Sequence, residues 1–208
     1  MIHPTPRLFL TRTAWTLAIL LCGCAASHKV NVYTLQLPSY PDVQTLAGSA
    51  TSVLSVLLDP VTVPELVNRP QLVVHTDDHQ VRIIESSRWA QTLKDEVAAV
   101  LAANLARDLG TLRVFLHAHD MPDEPQIRVA VNVLRFESRP GVAATIEALW
   151  TMRYNSNRTP VTGRSIVHEA VQDDGYPSLL AAHGRALARI SQAIAEQIRN
   201  STGTDKDR

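Results

Sequence analysis

The longest regular patterns in the chain are two apolar repeats of helical period. Between residues 87 and 109, apolar side chains recur at Trp89, Leu93, Val97, Val100, Leu101, Leu105 and Leu109. Between 178 and 200 they recur at Leu180, Leu187, Ile190, Ile194 and Ile198. These spacings put each set on one face of an α-helix about six turns long. Ser86 or Ser87 suits the N-cap of the first helix, because a short side-chain oxygen accepts from the free N–H groups of the opening turn. Gly110 suits its end, where the backbone turns left-handed.

Alternation governs much of the rest. Residues 127–136 place Ile127, Val129, Val131 and Val133 on one face of a strand. Arg139, Pro140 and Gly141 turn the chain, and 143–152 returns as the second arm of a hairpin. A smaller hairpin pairs 71–75 with 81–84 across a polar turn at 77–80. Further strands are predicted over 52–58, 113–116 and 164–170, and residues 32–35 are β-prone. Residues 62–70 form a proline-punctuated connection, and 38–52 and 121–125 read as loops. The pattern predicts an α+β fold, a mixed or antiparallel sheet with two long amphipathic helices packed on one face.

Composition adds a boundary rather than a class. The 208 residues are 45% hydrophobic and 19% charged, with a formal net charge of zero. A neutral chain lacks the electrostatic footprint of a general nucleic-acid binder. The neutrality is uneven, since the first 23 residues hold Arg7 and Arg12 and no acid. After those arginines, residues 13–21 (TAWTLAILL) are apolar, and small residues follow. A basic start, a short apolar run and a small-residue cleavage region describe a secretory signal peptide. The run is too short to span a bilayer as a helix, which takes about 20 apolar residues.

Both cysteines of the chain, Cys22 and Cys24, lie in this region. Their spacing inside an apolar run suits neither a redox pair nor a metal site. Leu21-Cys22-Gly23-Cys24 resembles a bacterial lipobox. Only Cys24 fits its acceptor position, because acylation at Cys22 would put bulky Leu21 where the peptidase takes a small residue. The resemblance implies cleavage between Gly23 and Cys24, then a diacylglycerol thioether and an N-acyl chain on Cys24. Each buried methylene adds about 0.8 kcal/mol, so two or three chains anchor a protein durably. Ala25, rather than Asp, follows Cys24, which favours sorting to the outer membrane with the domain facing the periplasm. The expected organisation is a signal peptide at 1–23, a lipidated tether at 24–31, a domain at 32–200 and a disordered tail at 201–208. The tether spans at most about 25 Å.

Candidate catalytic and metal-binding groups read as structural. His75 and His79 would converge only on a helix, and here His75 ends a predicted strand while His79 lies in the predicted turn after it. His117 and His119 share a strand end with no third ligand in view. Ser165, His168, Asp173 and Asp174 hold the residue types of a hydrolytic triad, but an edge strand followed by a turn accounts for them. No Gly-x-Ser-x-Gly elbow or phosphate-binding loop occurs. No catalytic, cofactor or metal residue is therefore assigned. Trp89, Phe136 and Trp150 read as core, with an interface to a partner or neighbouring subunit as the alternative. Arg135 and Arg139 flank Phe136 and read as a solvated rim, with lipid headgroups as the alternative contact.

In order along the chain, several segments resemble the PqiC family of ABC-type transport auxiliary lipoproteins. They are the lipobox, Val32-Tyr33-Thr34-Leu35, Asn68-Arg69-Pro70-Gln71-Leu72-Val73, Arg88-Trp89-Ala90-Gln91-Thr92-Leu93, Val133-Leu134-Arg135-Phe136-Glu137 and Ala148-Leu149-Trp150. Gln91 stands where the family usually has Glu. The resemblance covers about residues 24–200. It implies an outer-membrane-anchored, periplasm-facing auxiliary component of an MCE-type intermembrane lipid transport system. Its partners would be an MCE-domain protein and that protein's inner-membrane permease, with membrane lipid engaged through acylated Cys24. A homo-oligomer is the expected assembly. Alternatives are a periplasmic adaptor or outer-membrane assembly factor with other cargo, and an anchored lipid or cell-wall hydrolase.

Overall fold

The computed structural model describes residues 29–37, 54–156 and 158–203. Gly23 and Cys24, the signal peptide and the loop expected at 38–52 lie outside the described residues.

The chain forms β1 (Asn31–Tyr33), β2 (Val56–Leu58), β3 (Gln71–His75), β4 (Val81–Trp89), α1 (Leu93–Leu109), β5 (Val114–Phe115), β6 (Ile127–Arg139), β7 (Ala143–Tyr154), β8 (Val161–Ala170) and α2 (Tyr176–Gly203). The α+β expectation holds, with the strands divided between two sheets. One has the order β1-β4-β3 and the other β5-β2-β6-β7-β8. Both expected hairpins are present as antiparallel pairs. The pairs formed by β1 with β4, and by β2 with β5 and with β6, are parallel.

The expected helical stripes are the core. Leu93, Val97, Val100, Leu101 and Leu105 of α1 are at most 1% exposed, as are Leu187, Ile190, Ile194 and Ile198 of α2. Burying one such side chain contributes about 1.5–3 kcal/mol. They meet the inward residues of β6, where Ile127, Val129, Val131 and Val133 are all buried, as their alternation requires. A bulge at Leu134 then shifts the register between Val133 and Arg135, and from there Phe136 and Ser138 face inward.

The start of α1 differs from the expectation. Residues 86–89 are strand, because Ser87, Arg88 and Trp89 pair with Asn31, Val32 and Tyr33 of β1. The Trp89 N–H also donates to the Pro70 carbonyl at 2.8 Å. Thr92 is the N-cap instead, its hydroxyl oxygen accepting from the Asp95 N–H. Gly110 ends the helix with φ 63°, as its sequence position suggested. Residues 201–203, expected in the tail, are the last of α2. No helix among the described residues is long and apolar enough to cross a membrane.

Candidate functional site

The chain that would lead to Cys24 joins the domain at β1, and three contacts fasten it there. Tyr33 meets Tyr176 at the start of α2 edge-to-face, ring centres 5.9 Å apart. Leu35 is 2% exposed and belongs to the main core. Between them, the Glu96 carboxylate accepts from the Thr34 hydroxyl at 2.8 Å and from the Leu35 N–H at 3.0 Å. Glu96 sits in the first turn of α1 and is 3% exposed. The helix N-terminus favours its negative charge, and both donors bind the same oxygen. One α1 carboxylate thus holds a segment about sixty residues earlier in the chain.

The three aromatic candidates are not side by side on the surface. Trp89 is 9% exposed and packs edge-on to Phe136, ring centres 6.4 Å apart. Phe136 in turn stacks on His183 of α2 at 4.0 Å. His183 is fully buried, its Nε2 lies 2.8 Å from the Ser138 hydroxyl, and burial pushes its pKa down to about 3. The ring is therefore neutral at physiological pH. Trp150 lies on the other hairpin arm, where Gly163 leaves room for its ring and Nε1 donates to the Ser165 hydroxyl at 3.1 Å. Of the three, Trp89 borders a surface groove, of about 370 Å³, together with Arg69, Pro70 and Gln91. It opens beside a second groove of about 640 Å³ between α1 and the 61–65 segment, with Lys94, Asp95 and Glu65 on its rim. Among the described residues, these grooves carry both charge signs and no cluster of three metal-ligating side chains.

The hydrolytic residue types do not converge. Ser165 accepts from Trp150, while His168, on the opposite face of β8, pairs its Nδ1 with the Thr145 hydroxyl at 2.8 Å. Asp173 sits in the following turn. There the Ser178 hydroxyl and the Gly175 N–H hold its pKa below the usual carboxylate range. His75 ends β3 and His79 lies in the hairpin turn, where Asp77 accepts from its N–H at 2.7 Å. His117 and His119 stack on one another, ring centres 5.3 Å apart.

Sequence reasoning did not single out the outward face of the five-stranded sheet. Glu147 of β7, 6% exposed, accepts two bonds from Arg164 of β8, at 3.0 and 2.6 Å. Arg135 of β6 reaches the same carboxylate at 3.8 Å and bonds Glu137 at 2.9 Å. Arg135 is therefore part of a cross-strand charge ladder. Arg139 is 2.8 Å from Asp78 in the β3–β4 turn, and that hydrogen bond raises its pKa. The signal available in the sequence was opposite charges at facing positions of adjacent strands.

The sequence and the fold as a whole are similar to those of known proteins. The chain is 26% identical over 184 residues to the intermembrane transport lipoprotein PqiC of Escherichia coli K12, spanning 88% of this chain and 94% of that protein. The PqiC protein of Shigella flexneri matches over the same extent. In fold, this chain resembles a Xanthomonas campestris protein of the DUF330 family at a TM-score of 0.66 and 16% identity, covering 86% of this chain and all of that one. A second crystal structure, of an uncharacterized protein, gives a TM-score of 0.65 at 22% identity and covers 82% of this chain and 99% of that one. The family described as the ABC-type transport auxiliary lipoprotein component matches residues 33–195, which spans the described strands and helices almost end to end, and the chain belongs to that family.

Proposed function

We propose that this protein is an outer-membrane-anchored, periplasm-facing lipoprotein that acts as the auxiliary component of an intermembrane lipid transport system. In this reading it docks the far end of a conduit built by an MCE-domain protein above an inner-membrane permease. The work it does is binding, not catalysis, and it supports envelope integrity. The observation that carries the reading is the family match over residues 33–195 on a chain that also holds the Leu21-Cys22-Gly23-Cys24 lipobox. The similarity to PqiC, an intermembrane transport lipoprotein, supports the intermembrane setting.

Anchoring is tested by substitution. Cys24→Ser releases the protein from the membrane fraction, and Cys22→Ser leaves it there. Equal release by both would refute the lipobox register. Docking is tested by cross-linking in intact cells, which recovers an MCE-domain protein. Repeated recovery of other envelope proteins without one would overturn the conduit role.

A further inference from the structure

The first described residues fix which side of the domain can meet a bilayer, given the acylated Cys24 on which this inference rests. From Cys24 to Asn31 is seven residues, a reach of at most about 25 Å. A domain of this size is about 40 Å across, so its far side cannot touch the membrane that holds Cys24. Direction follows from the register. β1 runs parallel to β4, with Asn31 opposite Ser87, so the chain before β1 leads toward the β3–β4 turn. Val81 lies six residues before Ser87, about 20 Å along the strand. A tether of that reach is long enough for Cys24 to lie at the level of that turn.

That side of the domain carries apolar side chains. Directly opposed residues of neighbouring strands share a face, and alternate residues of one strand do too. Ile83 and Val81 of β4 stand opposite Val73 and His75 of β3, and beyond the register shift between Gln71 and Leu72 the exposed Arg88 stands opposite Val32 of β1. Val73 itself is 5% exposed and packs in the main core, so the open part of this side is β4 with β1. The opposite face, with Leu72, Val74 and Tyr33, packs inward toward α2. On the outward face Val32 is 65% exposed, and Val81 and Ile83 are each 38% exposed. Its charges are balanced. Arg88 stands opposite Val32, Glu85 accepts from Gln71 at 3.1 Å, and Asp78 at the turn is paired with Arg139.

We propose that the outward side of β1 and β4 rests in the headgroup layer of the membrane that holds Cys24. Val32, Val81 and Ile83 are its apolar contacts, and Arg88 reaches a lipid phosphate. Val81 and Ile83, alternate residues of β4, and Val32 farther along on β1 offer β-branched side chains suited to shallow insertion, and the balanced charge makes the contact apolar before it is electrostatic.

The test uses the acylated protein on vesicles of phosphatidylethanolamine and phosphatidylglycerol. Val32→Cys, Ile83→Cys and, as a reference on the five-stranded sheet, Ile166→Cys each receive a nitroxide label. The expected result is a ratio of oxygen to aqueous-nickel accessibility several-fold higher at 32 and 83 than at 166. Equal ratios at all three, with the protein still pelleting with the vesicles, would overturn the membrane-facing surface and leave the anchor standing. Failure of the unsubstituted protein to pellet would overturn the anchor reading and this inference with it. Where a label disturbs its strand, Val81→Cys reports from the same face.

Discussion

His183 makes the core sensitive to acid. Burial lowers its pKa from the ordinary 6.5 to about 3. The unfolded chain therefore takes up a proton first as pH falls. The associated stability is fully present above about pH 6.5 and is lost progressively down to pH 3. At pH 5 the loss is about 2 kcal/mol, from about 1.4 kcal/mol per unit over the 1.5 units crossed. Urea unfolding at pH 7 and pH 5 measures it, with His183→Gln showing a flatter dependence. An equal slope in both proteins would mean that another group titrates. Gly163 is a second sensitive position. A Cβ there would lie 2.1 Å from the Trp150 ring, so Gly163→Ala forces the indole out of place. The expected cost is about 1–3 kcal/mol, read by thermal unfolding and by a shift in tryptophan emission.

At the scale of elements, the start of α1 is the instructive case. The stripe from Leu93 to Leu105 was legible because a helix is specified locally, by residues one turn apart. Trp89 fitted the same period and Ser87 suited its cap, yet both belong to β4, because a partner more than fifty residues away competes for them. Parallel pairing leaves no turn signature in the sequence, so β1 against β4 and β2 against β6 were not legible. Both antiparallel hairpins were. Thr92→Ala should lower stability by about 1 kcal/mol through loss of the cap, and Ser86→Ala by a few tenths. Chemical denaturation compares them, and a larger loss at Ser86 would move the helix start back. Of the aromatic candidates, Trp89 and Trp150 looked alike in sequence. What separates them is long-range packing, with Phe136 and a surface groove beside one and Gly163 beneath the other.

At the scale of the molecule, α2 unites the fold. Its first turns reach Tyr33 and Val74 of the small sheet, and its middle lies on β7 and β8. Near its end Arg199 donates to the Asp108 carbonyl of α1 at 2.9 Å. Removing β1 therefore disturbs more than an edge. A chain beginning at residue 29 should unfold like the full-length protein. One beginning at residue 36 strips Glu96 of both donors, leaves a buried carboxylate bare and loses about 3 kcal/mol or more. Glu96→Gln in the shorter chain should recover part of that loss, since a neutral amide is cheaper to bury. Equal melting temperatures for the two lengths would show that Glu96 does not hold the segment. The parallel pairing of β1 with β4 has a mechanical side as well. Its hydrogen bonds run across the strands, so a pull along the leader loads all of them together in shear and does not peel them one at a time. Behind them the side chain of Leu35 acts as a stopper and Glu96 as a cleat. A three-residue strand is thereby built to carry tension.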